Sequence, residues 1–218
     1  MCIRDRITDE QLNYYKFSTL VVDEFPKALR HTFKHMWDNF RPGSGPIWDD
    51  SEVVRNLFLA MEGSNTKVPT NESYEEWDCT ALFQATIYAK VFSSTDSKGN
   101  LKTLSEVYVK PRGFMPKGSF HTFVLSPVGN DEETFAIAID QLRLLRNSIC
   151  HTVTSKMDKT TFDQYIELAR NAFKALGVET DSFDVVRSWD ESHFPTEEVA
   201  RLKRNICLMA VCTGVLFD

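Results

Sequence analysis

Between Asn130 and His151 the chain reads NDEETFAIAIDQLRLLRNSICH, and at about 100° per residue this stretch is apolar around most of its girth. Phe135, Ala138, Leu142, Leu145 and Ile149 make one stripe that must face a core. Nearly opposite lie Asp140, Asn147 and His151, with Arg143 at the flank. That polar row is not on a solvated face, because Ile137 and Leu144 lie beside it and Ala136 and Ile139 are close. A helix of this kind has to be covered on more than one side. The expected cover for the second side is another protomer or the loop-rich insertion that precedes this helix, which would leave the polar row in a partly dry seam.

The rest of the chain supplies partners of the same type. Phe17, Leu20, Val21, Phe25, Leu29, Phe33, Met36, Trp37 and Phe40 recur at three-and-four spacing, the signature of a wide helical stripe. Pro26 interrupts it, so either the helix bends there or it starts near Asp23 with Pro26 in its first turn. A short helix is expected from Asp50, with Val53, Val54, Leu57, Phe58 and Met61 inward and Gly63 ending it. Ser73 and Glu76 have capping-box spacing and predict a long core helix through Trp77, Leu82, Phe83, Ile87 and Phe92. Asp158 to Leu176, closed by Gly177, and a stretch from Pro195 through Val199, Leu202 and Ile206 predict two more helices. Residues 93–130 are rich in Ser, Gly, Pro and Lys, with apolar content reduced to short pieces such as Val107–Val109 and Phe120–Leu125, and read as an insertion able to hold a small β-hairpin. The fold class is therefore all-α, a helical bundle of four to five core helices with a loop-rich insertion. The main domain is read as 14–190 and the C-terminal helix, or the start of a next segment, as 191–218; residues 1–6 read as a non-native start.

Composition restricts function. Of 218 residues, 42% are hydrophobic, enough for one substantial core, and the formal charge of -6 argues against a broad basic surface that coats nucleic acid. Any contact with RNA has to be local. Five cysteines, an odd number with no C-x-x-C pair, fit reduced thiols, so a cytoplasmic setting is expected. The apolar run from Ile206 to Phe217 is shorter than the roughly 20 residues a membrane helix needs, and no membrane partner is expected. His31 and His35 stand one helical turn apart but lack a third ligand, so no metal site and no cofactor are assigned.

The chemistry concentrates at the end of the Asn130–His151 segment. A His near neutral pKa can take the ribose 2′-OH proton, an Arg can hold a phosphate and its developing charge, and an Asn can orient either one. Arg146 and His151 are five residues apart, about 140° on an undistorted helix, so they share a target only if the helix ends near His151 or two chains meet across a two-fold axis. Asp140 and Arg143 are supporting candidates, although Arg143 reads more simply as a bordering charge over the core. Lys110, Arg112 and Lys117 form a basic, kinked loop that can guide single-stranded RNA or be merely solvated. Cys150 reads as packing.

The R-x4-H spacing with Asn directly after Arg resembles the R-x4-6-H signature of the HEPN superfamily. The stretches LVVDEFPKALRHTFKHMWD, TFAIAIDQLRLLRNSICH and MDKTTFDQYIELARNAFKALGV look like the HEPN domain of the type found in the DAZ-interacting, RNA-binding zinc-finger ubiquitin ligase, over roughly residues 14–190. The resemblance implies a homodimer formed through the motif helices and, in active members, metal-independent cleavage of RNA to cyclic phosphate ends, with Arg146, Asn147 and His151 as the catalytic set. The alternative is a catalytically silent dimerisation or interaction module within a larger multidomain signalling, innate-defence or ubiquitin-ligase protein. No set of spaced Cys and His ligands for a RING finger is present in this sequence.

Overall fold

The computed structural model describes residues 7–41, 43, 45–63, 66–69, 71–95, 98–110, 119–152 and 154–213. Among these, eight α-helices and one two-stranded hairpin form a helical bundle. Helix α1 (Asp9–Thr19) starts at a capping box: Thr8 Oγ1 accepts from the Gln11 N–H and Gln11 Oε1 accepts from the Thr8 N–H. It runs through a turn of π-helix, Leu20–Glu24, directly into α2 (Phe25–Asn39). The π turn is how the chain passes Pro26. Proline has no N–H to continue the α ladder, so the ladder widens by one residue and the Phe25 N–H donates to Leu20 O. Neither a free helix start near Asp23 nor a broken rod is needed.

Helix α3 (Glu52–Glu62) is capped by Ser51, whose Oγ accepts from the Val54 N–H, and ends at Gly63 with φ +84°. Its inward face differs from the sequence expectation. Val54 and Phe58 are buried, but Val53 is 76% exposed and Met61 also faces out. The third inward position is Glu62, whose carboxylate accepts from the backbone N–H groups of Lys90 and Val91. A polar cap thus takes a place that hydrophobicity would have assigned to Met61.

The long helix expected from Ser73 is divided. Ser73 Oγ accepts from the Glu75 N–H and donates to Asp50 Oδ2, and only one 3₁₀ turn, Tyr74–Glu76, follows. Helix α4 (Cys79–Ala85) starts afresh at Asp78, whose carboxylate accepts from the Ala81 N–H, and stops where Thr86 leaves helical geometry at φ −110°, ψ −93°. The hairpin lies at the start of the insertion, β1 (Ser94–Thr95) pairing antiparallel with β2 (Leu101–Lys102). The short apolar pieces of the insertion lie outside the hairpin: Ser105–Val109 is a π turn and residues 120–125 contain no strand.

Helix α5 (Asp131–Cys150), capped by Asn130, packs on α6 (Lys159–Ala175), α8 (Thr196–Thr213) and α4. Helix α7 (Asp181–Ser188), which the sequence reading passed over, closes on α1. The core does not stop at residue 190, since Leu202, Ile206 and Met209 of α8 are buried and Arg201 bonds both oxygens of Asp23. At the other end Phe33 sits in a nest of rings from Trp37, Trp48, Phe58, Tyr74, Trp77 and Phe92. No helix among the described residues is long and apolar enough to cross a membrane.

Candidate functional site

Acidic residues Asp131, Glu132 and Glu133 open α5, as the helix dipole favours. The helix stays regular to Cys150, and His151 is its C-cap at φ −98°, ψ 5°. His151 is exposed, and among the described residues its ring makes no hydrogen bond to Arg146 or Asn147. Asn147 is half-buried one turn earlier, and its carbonyl accepts from the His151 N–H.

Arg146 is the unexpected member. Its side chain is 0% exposed, among the largest fully buried side chains of the molecule. Nη1 donates to Asn147 Oδ1 at 3.0 Å, Nη2 donates to Thr80 Oγ1 at 2.6 Å, and Nε has no partner among the described residues. Both acceptors are neutral, and among the described residues no carboxylate makes an ion pair with it. The nearby Cys79 thiol is not the missing anion, because burial pushes it up to about 12 despite the guanidinium beside it. A buried charge without a counter-charge is strongly unfavourable, so this arrangement needs a reason beyond packing.

One and two turns toward the helix start lies a second polar cluster. Asp140 is 2% exposed; Oδ2 bonds His121 Nε2 at 2.7 Å and Oδ1 accepts from Arg143 Nε at 2.7 Å. Burial by itself would raise the Asp140 carboxyl, but the His121 hydrogen bond and the Arg143 charge outweigh it and hold the group below its usual range. Arg143 is raised in return by Asp140 and Tyr88, against the effect of burial. The insertion is latched here a second time, since the His121 N–H donates to Gln141 Oε1. It is therefore the insertion that covers the Asp140 end of the polar row. Between residues 121–127 and α6 runs a groove of about 670 Å³, with Phe123, Leu125 and Leu168 in its wall and His121 at its edge.

The proposed set is thus split by burial: Asp140 and Arg146 are inside, Arg143 and Asn147 are at the edge, and His151 is outside. Lys110 is exposed and lies 3.9 Å from Glu106, while Arg112 and Lys117 fall outside the described residues. His31 and His35 are exposed, and His35 stacks on Phe135 with ring centres 5.3 Å apart. Sequence reading missed Thr80 and did not single out His121, and no local signal marks them, because they reach α5 from 66 and 19 residues away. No protein-family model, no curated protein and no solved structure matches this chain.

Proposed function

We propose that this chain is a HEPN-type domain acting on single-stranded RNA as a homodimer, with Arg146, Asn147 and His151 as its cleavage site. The observation that carries the reading is Arg146: a wholly buried guanidinium that, among the described residues, has neutral partners only and an unbonded Nε. A site that holds a charge in this state is matched to an anion, and a phosphodiester is the anion that the His151 imidazole of a second copy can act upon. In the reaction the His151 imidazole of one copy takes the 2′-OH proton and the 2′-oxygen attacks phosphorus. The P–O5′ bond breaks, the 5′-oxygen leaves with a proton given by a protonated His151 imidazole, the proton taken from the 2′-OH restoring the pair overall, and a 2′,3′-cyclic phosphate remains.

A second reading has its own support. Both terminal nitrogens of Arg146 are already engaged within the chain, as in a module that has kept the motif for structure and serves for dimerisation or interaction. Incubating labelled single-stranded RNA with the protein in EDTA separates the two. The nuclease reading expects cyclic phosphate ends and a loss of about 10²-fold or more in rate for His151→Ala and for Arg146→Ala. Cleavage that survives both substitutions, or that EDTA abolishes, overturns it. A dimer that binds RNA uncut supports the second reading.

A further inference from the structure

Thr80 has no assigned role, yet it makes the shortest bond to the buried guanidinium, 2.6 Å from Oγ1 to Arg146 Nη2. Because that hydroxyl accepts from Arg146, its own proton points elsewhere, and it donates to nothing among the described residues. Asn147 is held in the same way. Its Oδ1 is taken by Arg146 Nη1, which turns the two Nδ2 protons away from the guanidinium and leaves them without a partner among the described residues. Both residues are half-buried, whereas Arg146 is fully buried. The positive charge is therefore relayed to two half-buried, polarised neutral donors, a hydroxyl and an amide, on two different helices. Donors bonded to an ion are strengthened, more so where water is scarce.

We infer that Thr80 and Asn147 form an oxyanion-binding pair for a phosphodiester of RNA, and that Arg146 acts through them as a positioning residue without touching the phosphate. The inference rests on the RNA reading above and narrows it, because it moves the contact from the arginine to a threonine on α4. It also makes a prediction opposite in sign to direct contact. If Arg146 itself gripped the phosphate, removing the Thr80 hydroxyl would free Nη2 and leave binding unchanged or tighter. If Thr80 is a donor, its removal weakens binding.

The test uses the full chain and two probes. Inorganic phosphate is titrated while the Asn147 side-chain amide is followed by ¹H–¹⁵N NMR. In parallel, a single-stranded 2′-O-methyl oligoribonucleotide, which lacks the attacking hydroxyl, reports binding by fluorescence anisotropy. Phosphate is expected to shift the Asn147 amide. Thr80→Ala should abolish that shift and raise the oligonucleotide Kd about tenfold, the loss of one charge-assisted bond, and Thr80→Ser should restore both. If Thr80→Ala does not melt cooperatively, Thr80→Val, which fills the same volume without the hydroxyl, is read by the same titrations. Binding that is unchanged or tighter in the folded Ala or Val variant overturns the inference, as does an Asn147 amide unmoved by phosphate. A phosphate response that depends on Thr80, in a protein that leaves cleavable RNA intact, sustains the anion site and removes the nuclease reading.

Discussion

At the scale of single residues, the polar row of α5 divides by charge pairing. Asp140 and Arg143 are one turn apart and neutralise one another inside the fold, with His121 completing the carboxylate's bonds. Arg146, one turn further, has only neutral partners. Asp140 titrates below its usual range, so its ion pair contributes stability at neutral pH, and that contribution is lost as pH falls below about 4 through the folded-state value. Asp140→Asn leaves the Arg143 charge buried and uncompensated and should cost about 3 kcal/mol at pH 7. Urea titrations of parent and variant in a series from pH 7 downward check this: the gap should hold above the unfolded carboxyl value and narrow progressively as pH falls below it, and a gap that does not narrow down to acid unfolding would remove the ion pair as its cause. Asp140, Arg143, Asn147 and His151 were legible in the sequence because helical spacing places them along one row. Thr80 and the role of His121 were not, since nothing local ties them to that row.

At the scale of elements, chain ends and breaks follow side-chain chemistry more closely than apolar spacing does. The starts at Ser51, Asn130 and Asp158 follow from their caps, each side chain accepting from an N–H three residues on. Ser73 carried a similar signal but was overruled, because Asp50 takes both its hydroxyl and the Tyr74 N–H. Gly63 is where backbone geometry is most demanding. At φ +84°, ψ 172° it occupies a region open in practice to glycine, and it places the Glu62 carboxylate against the Lys90 and Val91 N–H groups. Its added Cβ would meet only Lys90 Nζ at 4.0 Å, so the penalty of Gly63→Ala is conformational and not a clash. We expect a loss of about 1–3 kcal/mol in chemical denaturation with an unchanged urea m-value. A neutral substitution would mean that the turn relaxes.

For the whole molecule, the last helix is part of the single core. Leu202, Ile206 and Met209 are buried, and α8 packs on α5, α1 and α4. Burying three such side chains contributes on the order of 5 kcal/mol, comparable with the net stability of a typical domain. A chain ending at Phe194 should therefore lose its cooperative thermal transition by circular dichroism. A truncated chain that melts like the parent would show that α8 is an accessory.

The residues by themselves were enough to read a helical bundle, the starts of α3, α5, α6 and α8, and which α5 residues share a row, because periodicity and capping act within a few residues of one another. It also located the one loop-rich insertion. Folding in three dimensions was needed to show which side of α5 that insertion covers, that Glu62 faces inward where Met61 was expected, and that Arg146 is buried against Thr80. Those outcomes depend on partners brought together from distant parts of the chain, where the competition between burial, hydrogen bonding and charge is settled by packing and leaves no trace in local spacing.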